Sequence, residues 1–291
     1  MKVFIIGASG LLGSNCLRLM QSDPDFDVIG SHYSFATNDT EYFDVFNPAE
    51  TTFDLKAFHP DVIIHTGALT HVDYCESHEE ESYKHTVAST EAAIKLANSF
   101  KAKFVFISSD YIFDGKNGPY DEEAEPNPLS VYGRHKLLAE KLVKEHCENY
   151  LILRITNVYG KEIRGKNFIA FLAKRALSEN PKELRLPQDQ YATPINAADI
   201  AKFLAVMLKD DKQGIYNLAS DEYLNRVELA EKVLAHFSGH EIKIKALNTA
   251  ELGQAAPRPL KGGLKNDKIK KEYPQMTFST VDRYLEEEYG L

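Results

Sequence analysis

At 291 residues the chain is long enough for a full hydrophobic core and a second, smaller lobe, and its composition is that of an ordinary globular protein. A formal net charge of −9 argues against a nucleic-acid binder, and no stretch approaches the roughly 20 apolar residues that span a bilayer, so neither nucleic acid nor membrane is an expected partner. The early glycines and Asn15 break any leader-peptide reading, and Cys16, Cys75 and Cys147 lack metal-ligand spacing; free thiols in a reducing compartment place the expected location in the cytoplasm.

Val3–Ile6 reads as a strand that runs straight into Gly7, Gly10 and Gly13, and residues 11–21 read as the helix that follows. Gly7 suits a sharp turn off the strand, Gly10 a backbone that approaches a pyrophosphate, and Gly13 a helix pressed close to the sheet. Free N–H groups at the helix start would then hold the phosphates. The second strand begins at Asp27 and ends on Ser31 and His32. It offers no carboxylate to accept from a ribose 2′-hydroxyl, so NADPH is expected to be accepted, with NADH also used.

A short strand follows over 41–45, near Asp44, then a brief helix over 54–58 that Pro60 ends. Val62–His65 is apolar enough for a buried parallel strand. A long helix is predicted over 78–99, a strand over 103–107, a helix over 129–147 and a strand over 150–155. Residues 114–128, rich in Gly, Pro, Asp and Glu, form a long loop over the carboxyl end of the sheet. Successive βα units imply right-handed crossovers and a doubly wound parallel α/β sheet. Further on the pattern predicts helices over 167–179 and 197–209, a strand over 214–218, a helix over 226–237, a strand over 242–246 and a last helix over 279–289. Residues 1–160 with about 195–213 are expected to bind the dinucleotide, and about 161–194 with 214–291 to form a C-terminal substrate lobe, some of whose segments return to the main sheet.

Tyr132 and Lys136 stand four residues apart and share one helix face. A neighbouring ammonium favours phenolate, so the expectation is a tyrosine pKa drawn below about 10 and a phenol usable as a general acid. Ser109, just past a strand end, could hold the substrate oxygen beside Tyr132. Other polar residues have structural readings. Asp73 and Glu76 read as a cap or loop brace, Asp199 as a cap or helix–loop tie, and Glu286–Glu288 as a solvated helix face. The histidines do not cluster as zinc ligands. Arg258 suits either a diphosphate or a surface salt bridge.

Several segments together carry a resemblance: Gly7–Gly13, His65–Glu76, Ser108–Gly115, Pro119-Tyr120, Tyr132–Lys136, Leu153-Arg154, Val158–Gly160, Asn167-Phe168, Asp189-Gln190, Gly214–Tyr216 and Arg258-Pro259. On these the chain resembles an extended short-chain dehydrogenase/reductase with a Rossmann sheet, and within that group the dTDP-4-dehydrorhamnose reductase family. The resemblance implies reduction of a 4-keto deoxysugar nucleotide, most plausibly dTDP-4-dehydro-L-rhamnose to dTDP-L-rhamnose, by NADPH or NADH. Ser109 then stands for the family's usual threonine, Tyr132 gives the proton and Lys136 binds nicotinamide ribose. Gly7, Ser9, Gly10, Leu11, Leu12, Gly13, Asp44, Val45, His65, Gly67 and Ala68 would line the cofactor, and Thr70, Asp110, Asn167, Gln190 and Arg258 the substrate.

Some positions depart from the family. Asn15 stands where a glutamate makes a Mg²⁺-linked dimer, so no metal is expected and the assembly is a monomer or homodimer. Thr86 replaces a structural asparagine, and Leu260–Gly263 follows Arg258-Pro259 where a serine is usual. Two alternatives stay open. One is a nucleotide-sugar epimerase or dehydratase; the other is a non-catalytic subunit resembling the methionine adenosyltransferase beta subunit.

Overall fold

A computed structural model describes residues 1–178 and 183–290. Seven strands form one parallel sheet: β1 (Lys2–Ile6), β2 (Asp27–His32), β3 (Glu41–Tyr42), β4 (Val62–His65), β5 (Lys103–Ser109), β6 (Tyr150–Ile155) and β7 (Gly214–Asn217). Their order is β7-β6-β5-β4-β1-β2-β3. Strand order reverses between β1 and β4, and the crevice beyond their carboxyl ends is where ligands of such sheets sit.

Alternate side chains leave each strand on opposite faces, and this divides the core. Val3, Ile5, Ile64, Val105, Leu151 and Leu153 pack against the helices Leu11–Gln21 and Ala197–Lys209. Phe4, Ile63, Phe104, Phe106 and Ile152 pack against Ser89–Phe100 and Val131–His146 on the other side. β4 and β5 are buried along their whole lengths, as expected of strands covered on both faces.

A third core, built on Tyr159, Ile169, Leu172, Leu229, Val233 and Leu285, makes the smaller lobe. It gathers the helices Phe168–Ala176, Arg226–Leu234 and Val281–Tyr289 around the paired strands Leu184–Pro187 and Ile244–Leu247. β7 lies past the boundary expected at 213/214 yet pairs with β6 in the main sheet. It is one of the later segments that return to the main sheet.

Other differences are local. The strand expected over 41–45 stops at Tyr42, because Asp44 accepts from the Phe46 N–H and the Asn47 amide and turns the chain. The helix expected over 78–99 runs from Glu79 to Phe100 with a π turn, Lys84–Ala88, inside it. The helix expected over 167–179 ends at Ala176, and residue 179 lies outside the described residues. Short helices at Val72–Ser77 and Asp267–Glu272 had no periodic signal. Among the described residues no helix is long and apolar enough to cross a membrane.

Candidate active site

Gly7 adopts φ +84°, and a Cβ there would stand 2.9 Å from the Gly67 nitrogen. A Cβ on Gly13 would collide with the Gly7 carbonyl oxygen, so the loop closes only with glycine at both positions. Thr66 secures the turn by donating its hydroxyl to the Ile6 and Gly7 carbonyls at 2.9 and 3.0 Å. The helix Leu11–Gln21 then begins without a side-chain cap and without an acidic residue in its first turn. Its first N–H groups are left to an anion.

Beside this turn runs a groove of 630 Å³ lined by Gly7, Ser9, Gly10, Asp44, Val45, His65, Gly67 and Ala68. His65 is buried; its Nε2 lies 3.5 Å from Ser89 Oγ, and its Nδ1 has no protein partner. Burial, helped by Lys136, pushes its pKa down to about 3, so the ring is neutral. Glycine cradle, uncapped helix start and open imidazole nitrogen all fit a dinucleotide.

The groove opens into a second cavity of 480 Å³, which Gly10, Leu11 and Leu12 border together with Ser109, Tyr132 and Lys136. Ser109 ends β5, where its Oγ accepts from the Tyr111 N–H at 3.3 Å. Tyr132 and Lys136 project from the first turns of Val131–His146, a helix capped by Ser130 through the Gly133 N–H at 3.2 Å. Glu140, further along it, forms a buried bidentate pair with Arg154 of β6 at 3.0 and 2.9 Å and fixes the helix against the sheet.

The expected depression of the Tyr132 pKa is not found. Burial drives the phenol well above its ordinary value, and the hydrogen bond with Ser109 only partly offsets that. Lys136 donates to the Ile107 carbonyl at 2.9 Å and is itself pulled down to about 8 by burial, against the pull of Glu140 and Cys75. At neutral pH the phenol therefore keeps its proton, which is the form a donor needs.

The substrate candidates divide into free and engaged groups. Thr70 lies where this cavity meets an outer cleft that Gln190 and Arg258 also line. Asp110 is buried, with Oδ2 accepting from Thr156 Oγ1 and the Gly263 N–H at 2.8 and 3.0 Å. Asn167 caps its helix through Ala170 N–H and donates to Gly160 O and Glu162 Oε1. Gln190 donates to Thr249 and Gln254. Arg258 pairs with Asp73 at 2.7 Å, so Asp73 is a brace, yet its buried Nη1 has no partner. Glu76 likewise braces the site by accepting from the Val131 N–H at 2.8 Å.

Arg226 was not anticipated. It borders both the inner cavity and the outer cleft, bonded to Asn157 Oδ1 at 2.6 Å and lying over the Phe168 ring at 4.9 Å. Nothing in the sequence pattern marks it, because it is simply the first residue of a helix capped by Asn225. Asn15 is buried and donates to Leu11 O and Lys161 O. Thr86, inside the π turn, leaves its hydroxyl without a partner. Among the described residues no group of His, Cys, Asp or Glu side chains could hold a metal ion.

A glycine cradle at the switch point of a parallel sheet, with serine, tyrosine and lysine meeting at its edge, defines an NAD(P)-dependent oxidoreductase of the short-chain dehydrogenase/reductase class. Residues 1–287 match the family model of the RmlD substrate binding domain, and the chain belongs to that family. It is 28% identical over 260 residues to the spore coat polysaccharide biosynthesis protein SpsK of Bacillus subtilis, covering 89% of this chain and 87% of the relative. Identity is 29% over 277 residues to methionine adenosyltransferase 2 subunit beta of Xenopus laevis, covering 93% and 82%. The crystal structure of dTDP-4-dehydrorhamnose reductase from Bacillus anthracis in complex with NADP superimposes with a TM-score of 0.86 at 25% identity, covering 99% of this chain and 98% of that one.

Proposed function

We propose that this protein reduces the 4-keto group of a deoxysugar nucleotide with NADPH or NADH, dTDP-4-dehydro-L-rhamnose to dTDP-L-rhamnose being the reaction its resemblance favours. The observation that carries this reading is the position of Ser109 and Tyr132 in the wall of a cavity that meets the dinucleotide groove on one side and an arginine-lined cleft on the other. Gly10–Gly13 and the groove residues would hold the cofactor, which when bound supplies a hydride to the ketone carbon. Ser109 Oγ holds the ketone oxygen, and Tyr132 transfers its phenolic proton to that oxygen as the carbonyl becomes an alcohol. Lys136 provides the positive charge that steadies the resulting phenolate. Arg258 and Arg226 flank Tyr111, and their guanidinium N–H groups suit a diphosphate between sugar and nucleoside. The tyrosine also packs edge-on to Tyr132, 5.5 Å between centroids, which walls the reacting end from the outer cleft.

Incubating the purified protein with a panel of 4-keto nucleotide sugars and NADPH or NADH tests the reading. Oxidation of the reduced cofactor with matching alcohol formation is expected for at least one sugar, and no oxidation across the panel overturns it. The likeness to a methionine adenosyltransferase subunit gives a second reading, a regulatory subunit without turnover. The intact Ser109, Tyr132 and Lys136 set favours catalysis.

A further inference from the structure

Strand β2 ends without a carboxylate and without a lysine or arginine. Ser31 donates to the Ile5 carbonyl at 3.2 Å, and His32 Nδ1 is held by Thr40 Oγ1 at 2.9 Å. Across the groove stands the 161–166 loop, which the smaller lobe contributes. Glu162 shapes it by accepting from the Lys166 N–H, the Asn167 N–H and Asn167 Nδ2 at 2.8, 2.7 and 2.9 Å. Asn15 ties it to the first helix through Lys161 O at 3.0 Å.

The loop so held sends Arg164 over the groove. Its guanidinium carbon lies 5.1 Å from the centroid of Phe35, three residues beyond the end of β2. Among the described residues no carboxylate pairs with Arg164; the loop's own Glu162 turns Oε1 to the N–H groups of Lys166 and Asn167. A guanidinium lying over a ring keeps its N–H edge for an anion. The only other lysine or arginine among the described residues bordering this groove, Lys84, is turned toward Phe46, past Asp44.

We propose that Arg164 reads the 2′-phosphate of NADPH, so that cofactor preference is set by a loop of the smaller lobe and not by the end of β2. This rests on the dinucleotide reading of the groove but needs no sugar substrate. Its failure is therefore distinguishable from failure of the reductase assignment.

The test titrates NADPH and NADH into wild type, Arg164→Ala and Arg164→Lys, with 2′,5′-ADP and 5′-AMP as competing probes. Loss of a charge-assisted contact should weaken NADPH and 2′,5′-ADP by about ten- to a hundredfold in Arg164→Ala. NADH and 5′-AMP should bind as before, and Arg164→Lys should recover part of the loss. Circular dichroism and the unchanged NADH affinity report that the variant is folded. Equal weakening of both cofactors overturns the proposal by assigning Arg164 to the shared pyrophosphate, and no weakening of either overturns it outright.

Discussion

The two ends of the cleft are built on different physics. Tyr132 and Lys136 at the inner end, and His65 in the adjoining groove, are all buried, and burial moves each away from its ordinary pKa. The outer end uses the guanidinium groups of Arg226 and Arg258, held by Asn157 and Asp73; burial lowers the Arg226 pKa without removing its proton, and the Arg258 Nη1 has no partner. Desolvation decides which proton is present at the first; charge and reach decide what is held at the second. Changes at the inner end should therefore appear in turnover, and changes at the outer end in substrate affinity.

Tyr132→Phe gives the largest expected effect, about a 10²–10⁴-fold loss of kcat from removing the proton donor. The dissociation constant for reduced dinucleotide, read by fluorescence, should hardly move. Normal turnover would mean that the donor lies elsewhere and that the two ends do not differ as described. Lys136→Met should damage both quantities, because Lys136 shares the inner cavity with Tyr132 and the proposed reading also gives it the nicotinamide ribose.

At the outer end, Arg226→Gln should raise KM about ten- to a hundredfold, the loss of one or two charge-assisted hydrogen bonds, while kcat stays within a few-fold. Steady-state kinetics on the accepted sugar nucleotide separates the two constants. A fall in kcat with unchanged KM would move Arg226 into the reacting end.

A pH series sharpens the contrast further. Lys136 titrates at about 8 in the folded protein and at about 10.4 when unfolded. Between those values the unfolded chain binds more protons, so stability gained from this residue rises with pH. Turnover should fall as pH passes through about 8, where the folded protein loses this ammonium. Thermal melts from pH 7 to 10 should show wild type gaining on Lys136→Met while its activity drops, and parallel trends would refute the assignment. His65 gives the acid counterpart: folded at about 3, it costs stability as pH falls through its unfolded value. The smallest expected effect is that of EDTA, which should leave activity and molecular mass unchanged because Asn15 is committed to Leu11 and Lys161. A loss that Mg²⁺ restored would show carboxylates assembling between chains.

Much of the inner half was legible because its signals are local. Gly7 and Gly13 are demanded by a turn within a few residues of each other, and the apolar runs of β4 and β5 report burial on both faces. Tyr132 and Lys136 share a helix face by spacing alone, and Ser109 follows a strand end in plain sight. The sequence determined by itself the parallel sheet, the glycine turn and the spacing that sets Tyr132 and Lys136 on one helix face. Only the tertiary structure decided that Tyr132 holds its proton more tightly than a free phenol, because desolvation depends on what covers the ring. It also brought Arg226 and Arg164 to the cleft from beyond β6, and spent Asp110 and Asn167 on bracing. Those roles depend on which distant backbone groups arrive beside a side chain, and no periodicity or spacing along the chain encodes that distance.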